Sequence, residues 1–140
     1  MANTGSSNPN REGKLLRVRV SQECHASAHR AWQLLTDTTL WPLWGPTVRD
    51  VICSERMIRK GSEGKVLTPI GIWVPFLVTE YDDLRFWEWE VAGLRATGHR
   101  LIADDEPPCR IVFELPLWWL PYFFVCRRAA SNLASLLKSR

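Results

Sequence analysis

The chain is 140 residues long, 46% hydrophobic and 24% charged, with a formal net charge of +3. That length suits one domain, able to hide roughly two thirds of the surface its unfolded chain exposes. The charge is mild and interspersed, with no basic block longer than Arg59-Lys60 or Arg127-Arg128, so no nucleic-acid partner is expected. The longest near-apolar run, 115–126, holds two prolines and is too short for a transmembrane segment.

Residues 1–13 have no apolar run of the signal-peptide kind and read as a disordered lead, with a single domain over 14–140. Residues 14–24 alternate, placing Leu16, Val18 and Val20 on one strand face and Arg17 and Arg19 on the other. Ser27 then stands as an N-cap for a helix over Ala28–Thr36, whose apolar positions Ala28, Ala31, Trp32 and Leu35 share one stripe. Asp37 ends this helix or caps a second, short one over 39–44, where Pro42 suits a first turn and Gly45-Pro46 a stop. The period then changes to two. Strands are expected over 48–55, 63–68, 72–81, 86–91, 96–103 and 110–115, separated by turn-forming clusters such as Pro69-Ile70-Gly71 and Asp82-Asp83. Short connections between them imply an antiparallel meander. From about Trp119 the helical period returns, and Tyr122, Val125, Cys126, Ala129, Leu133, Leu136 and Leu137 make one continuous stripe. The pattern predicts an α+β domain, a curled seven-stranded sheet with a long helix buried against one face.

Eight tryptophans are the feature most informative about function. Trp87, Trp89 and Val91 share one face of their strand, and Glu88 and Glu90 share the other. Carboxylates must be solvated or paired, so the indoles point inward. The same parity groups His99 with Leu101 and Ala103, and Phe113 with Ile111 and Leu115. Such a face is either an aromatic core or the wall of a pocket for a greasy ligand. His99, among apolar inward neighbours, is the best polar candidate, either as a hydrogen-bonding group for a ligand or as a histidine satisfied by the fold. His25 and His29 are four apart, but a helix start at Ser27 lies between them and no third ligand is evident, so no metal is expected. Cys24, Cys53, Cys109 and Cys126 form no Cys-x-x-Cys pair and read as free thiols in a reducing compartment, which places the chain in the cytoplasm. Glu80, Asp82 and Asp83 sit at a strand end and read as solvated. Arg56-Met57-Ile58-Arg59-Lys60 reads as a solvated hairpin. The rings of 118–124 cannot all face one core, so Trp118, Trp119, Phe123 and Phe124 are candidates for a dimer or partner contact. No Ser-His-Asp arrangement, P-loop or dinucleotide fingerprint occurs, and no cofactor is expected.

Several motifs resemble the START-like superfamily with its helix-grip fold, in particular the polyketide cyclase/dehydratase-like branch often called SRPBCC proteins. Residues 28–37, with their aromatic and terminal Leu-x-Asp, resemble that family's first helix. Trp41-Pro42-Leu43-Trp44 resembles its following Trp-x-Pro turn. Gly61 and Gly64 are similar to its loop-to-strand glycines, Val78-Thr79-Glu80-Tyr81-Asp82 to its fourth-strand ending, and Trp87-x-Trp89 followed by His99 to its next hairpin. The match runs over about 16–138. Two features depart from it: Pro107-Pro108-Cys109-Arg110 stands where the family often has a Gly-Thr pair, and Pro116 and Pro121 flank Trp118-Trp119-Leu120. The resemblance implies a seven-stranded curved antiparallel sheet wrapped around a long C-terminal helix, with two short helices after the first strand and a cavity between sheet and helix. Family members bind lipids, sterols, polyketides or plant hormones, some cyclise or dehydrate polyketides, and some assist folding or cofactor assembly. Three readings follow. The first is binding or transport of a hydrophobic small molecule, with Trp44, Trp73, Phe76, Trp87, Trp89, His99, Phe113 and Tyr122 around it. The second is a polyketide cyclase or dehydratase, for which His99 and Tyr122 are the only candidate acid–base groups. The third is an interaction module whose cavity is filled by its own rings.

Overall fold

The computed structural model describes residues 17–116 and 123–138, the side chain of Phe123 excepted. Strand β1 (Arg17–Cys24) leads into helix α1 (Ala28–Thr36), a 3-10 turn (Thr38–Leu40) and the single-turn helix α2 (Trp41–Trp44). A meander follows: β2 (Asp50–Cys53), β3 (Glu63–Leu67), β4 (Trp73–Asp82), β5 (Phe86–Val91), β6 (Leu94–Ile102) and β7 (Cys109–Pro116). Helix α3 (Phe123–Lys138) closes the fold. Every pairing is antiparallel, in the order β1-β7-β6-β5-β4-β3-β2. The two short helices therefore carry the chain from one edge of the curved sheet to the other. This is the helix-grip architecture expected from the motif order, with β2 shorter than the alternation suggested.

Local chemistry explains the first crossover. Ser27 Oγ accepts from the Arg30 N–H at 3.2 Å, satisfying a donor at the α1 N-terminus. Asp37 serves both roles its position allows. Its own N–H closes α1 on Gln33 O at 2.9 Å, and Oδ1 accepts from the Thr39 N–H at 3.0 Å to cap the 3-10 turn. The fully buried carboxylate is completed by the Arg56 guanidinium, with Nε 2.9 Å from Oδ2. Trp41 and Trp44 are then pinned by indole N–H bonds to Leu35 O (2.9 Å) and Leu34 O (2.7 Å), locking α2 onto α1.

Two bulges set which side chains face in. Val78 pairs with Trp89 and Glu80 with Glu88, so Thr79 is an extra residue on β4. Between Glu88↔Gly98 and Glu90↔Arg95, β6 has one residue more than β5. Ala96 and Thr97 both stand opposite Trp89, and Arg95 turns to the outer face. The β5–β6 connection is a two-residue turn, with Ala92 at φ +54° and Gly93 at φ +78°. Positive φ at both central residues matches the right-handed twist of a hairpin, and only at Ala92 does it carry a side-chain penalty.

The outer face of the sheet centre departs from the simple alternation. Glu88 and Glu114 are nearly fully buried there, as is the Arg17 side chain. Arg17 pairs with Glu88 and, at 3.4 Å, with Glu114; Arg95 Nε meets Glu88 at 2.6 Å and Arg100 Nε meets Glu114 at 2.7 Å. Burial alone would raise the Glu114 carboxyl, but its hydrogen bond to Arg100 and the charges of Arg100, Arg19 and Arg17 hold it below its usual value. Arg100 also stacks over Phe86 at 4.5 Å. Gly98 sits in the middle because a Cβ there would fall 2.8 Å from the Phe86 ring and 2.9 Å from Arg17 Nη1.

Candidate functional site

The inner face of the sheet and α3 enclose the core. Leu133 and Leu137 on the helix are almost fully buried in one core cluster with Val20, Leu35, Ile111 and Leu115. One turn and more towards the helix start, the stripe shrinks to Val125, Cys126 and Ala129. These short side chains line a hollow of about 500 Å3 between helix and sheet. It is lined almost wholly by carbon. Its sheet wall carries Val66, Val74, Trp87, Trp89, Ala96, Thr97, His99 and Phe113, and Trp41 and Trp44 form the side next to α2. Ile70, in the β3–β4 turn, and Leu94, after the β5–β6 turn, line the hollow while being 80% and 52% exposed. These turns, with the Gly45–Val48 stretch, form its mouth.

The wall is rigid because its rings interlock. Trp87 is sandwiched between Trp41 (centroids 5.3 Å, 7° between planes) and His99 (3.8 Å, 11°). Trp89 meets Trp41, Trp87 and His99 edge-on at 5.4, 5.5 and 6.0 Å. Trp44 lies against Phe113 at 5.8 Å and edge-on to His99 at 6.1 Å. Asn132 Nδ2 of α3 donates to Trp44 O at 3.1 Å, tying the helix to this side of the wall.

Polar groups in the wall form one directed chain. The Trp89 indole N–H donates to Thr97 Oγ1 at 3.0 Å, Thr97 Oγ1 lies 3.3 Å from His99 Nε2, and His99 Nδ1 lies 3.2 Å from Trp87 O. A carbonyl oxygen only accepts, so Nδ1 carries the proton. Nε2 is then a lone pair and receives the Thr97 hydroxyl proton. Burial pushes the His99 pKa down to about 3, with the Arg17 charge adding to the shift and the bond to Trp87 O opposing it. His99 is therefore a neutral imidazole with both nitrogens engaged. Cys126 Sγ is pushed up to about 12 by burial and is an inert thiol.

Of the residues the sequence nominated, Trp44, Trp87, Trp89, His99 and Phe113 line this hollow together. Phe76 faces inward but stands behind the wall, 5.4 Å from Trp41 and 5.6 Å from Trp89. Trp73 is a correction. Strand parity puts Val74, Phe76 and Val78 inside and Trp73, Pro75 and Leu77 outside, so Trp73 is exposed on the outer face. It stands three residues from Phe76, and a period of two puts the pair on opposite faces. Glu88 is outward as expected and takes the second of the two environments open to it, paired rather than solvated, with Arg17 and Arg95 as partners. Ala103, grouped with His99, lies beyond the end of β6 and is exposed. Asp83 is not simply solvated, since its Oδ1 accepts from Tyr81 Oη at 2.9 Å and Trp32 Nε1 at 3.2 Å. In the expected solvated hairpin, Ile58 is buried in the core. His25 and His29 are both exposed. Leu16, Trp118, Trp119 and Tyr122 lie outside the described residues, and Phe124 is exposed at the start of α3. Sequence reasoning missed Thr97, whose inward aim depends on the β6 bulge, and Ala96 beside it. It also passed over the meaning of Ala129, although a small residue in an otherwise large-residue stripe is a readable sign of a gap.

Residues 16–135 match the family described as polyketide cyclase / dehydrase and lipid transport. No curated protein matches the chain. Among solved structures, the protein XoxI from Bacillus cereus superposes with a TM-score of 0.67 at 13% identity, covering 86% of this chain and 94% of its own. Protein NE0264 from Nitrosomonas europaea gives 0.65 at 18% identity, with 89% and 95% covered. Protein Ms6760 from Mycobacterium smegmatis gives 0.62 at 15%, with 89% and 92% covered. At such identities the likeness is one of fold.

Proposed function

Because this chain belongs to the polyketide cyclase/dehydrase and lipid transport family, we propose that it binds and carries a hydrophobic small molecule in the hollow between sheet and α3. One observation carries this reading: a space of about 500 Å3, lined mainly by carbon and open at one end, beside a core of fully buried side chains. Ordinary interiors hold few voids larger than a water molecule, and lost contacts around a void destabilise the fold. Rings stacked this firmly form a pre-shaped surface that loses little freedom when a ligand enters. Covering roughly 300 Å2 of apolar ligand surface would contribute about 7 kcal/mol before the entropic cost of association.

The cyclase or dehydratase reading has weaker support. Positioning alone can accelerate a cyclisation, but an acid–base step needs a group that exchanges protons near neutral pH. His99 holds its proton against a carbonyl and is a very weak base in this setting. A self-filled interaction module is disfavoured by the hollow itself. The test is a fluorescence titration with phenanthrene, following the tryptophans of the wall. Ala129→Phe, which projects a ring into the space, is expected to weaken binding at least tenfold. Trp73→Ala, on the outer face, is expected to leave it within twofold. A folded Ala129→Phe protein with undiminished affinity would refute the site.

A further inference from the structure

The direction of the hydrogen bonds in the wall restricts what kind of polar group a ligand can bring. Every strong donor whose bond is described there is already committed to a protein acceptor. Trp41 Nε1–H goes to Leu35 O, Trp44 Nε1–H to Leu34 O, and Trp89 Nε1–H to Thr97 Oγ1. At the mouth the Thr68 hydroxyl donates to Ile72 O at 2.9 Å. The Thr97 proton is held by His99 Nε2, and the His99 proton by Trp87 O. Trp87 Nε1–H has no partner, but that nitrogen is buried within the stack, without surface open to the hollow. Protons thus run one way, from Trp89 through Thr97 to His99 and out to the backbone. What is left over is acceptor capacity: Thr97 Oγ1 receives one bond and gives one, which leaves it a lone pair. Among the described lining residues there is no Lys, Arg, Asp or Glu.

From this polarity we infer that the cavity selects a neutral, largely apolar ligand carrying a hydrogen-bond donor, a phenol or alcohol, whose O–H is accepted by the Thr97–His99 pair. The inference rests on the small-molecule reading above. A ligand carbonyl or ether oxygen would face lone pairs and stay unpaired on desolvation. A carboxylate would lose its hydration and meet no cation among the described lining residues, where the indole N–H groups of Trp41, Trp44 and Trp89 are already bonded to protein acceptors. His99 gives no help to an anion, since it stays neutral through the physiological range. A hydroxyl, in contrast, extends the existing relay by one member in the direction it already runs.

One ring skeleton in four forms tests this by calorimetric titration at pH 7.5: phenanthrene, 9-phenanthrol, 9-methoxyphenanthrene and phenanthrene-9-carboxylate. The phenol is expected to bind at least about fivefold tighter than the methyl ether, as one net hydrogen bond implies, and the carboxylate weakest of the four. An ether that equals the phenol, or a carboxylate that binds best, overturns the inference. If phenanthrene binds but its derivatives are not discriminated, the cavity reading stands and the donor rule alone fails. If none of the four binds, the cavity reading fails. His99→Phe provides a second arm: it keeps a ring on Trp87 but removes the acceptor of the Thr97 proton, freeing that hydroxyl to donate. The phenol–ether gap is then expected to close to within about twofold. A gap that persists in folded His99→Phe protein also counts against the inference.

Discussion

Acidification from pH 7.5 to 5.0 is expected to destabilise this protein by about 2 kcal/mol through His99 alone. The imidazole is buried beneath Trp87 and ringed by Trp44, Trp89 and Phe113, with the Thr97 hydroxyl on one nitrogen, the Trp87 carbonyl on the other and the Arg17 charge acting unfavourably on its cation. Its folded pKa is depressed from 6.5 to about 3. Between those values the unfolded chain binds a proton that the folded protein refuses, so stability rises with pH across the window and falls as the medium is acidified. The contribution is complete above pH 6.5 and declines by about 1.4 kcal/mol per pH unit below it, so at pH 5.0, about 1.5 units down, about 2 kcal/mol is gone. That figure holds for any folded value below about 4. Other shifted groups act mainly outside the window: Glu114 and Glu55, held below their normal 4.5, matter in stronger acid, and Cys24 and Cys126, pushed up from 9.0 to about 12, above about pH 9. Urea unfolding at several pH values, in wild type and His99→Phe, isolates the term. The variant begins less stable, because the Trp87 carbonyl loses its donor, but is expected to lose about 2 kcal/mol less than wild type over the interval. Equal losses in the two proteins would refute both the neutral-imidazole assignment and the relay direction built on it.

Two further outcomes concern the outer face. Gly98→Ala is expected to lower thermal stability by about 1–3 kcal/mol, since its Cβ must displace the Phe86 ring or the Arg17 guanidinium; an unchanged melting temperature would show that these groups yield without cost. Glu88→Gln is expected to cost about 3 kcal/mol by leaving Arg17 and Arg95 without their shared carboxylate. Phenanthrene affinity should stay within twofold in that variant, because Glu88 lies across the sheet from the hollow, and a large change in affinity would contradict this separation.

Order and identity of elements were legible along the chain because each carries its own periodicity and punctuation. The stripe of α1 and the Ser27 cap placed that helix at its observed bounds, Ala28–Thr36. Trp87 and Trp89 could be assigned to the inner face from the carboxylates between and after them. Parity also put His99 and Phe113 beside the indoles, and all four line the hollow. The same parity separates Trp73 from Phe76, and only Phe76 faces inward.

Alternation can say which face a side chain takes, since that depends on its neighbours in the chain, and in this protein it located the aromatic wall and the helix opposite it. It cannot count an extra residue in a strand, because a bulge is defined only against the partner strand. That is why Thr97 became a relay member, and Arg95 an outer-face cation, only once β5 and β6 were paired. Nor can it distinguish a core from a cavity, which depends on whether side chains from two distant segments meet. Here Leu133 and Leu137 are buried in the core, while the shorter Val125, Cys126 and Ala129 line the hollow, and that difference in length, realised only when α3 lies across the sheet, leaves the space a ligand would fill.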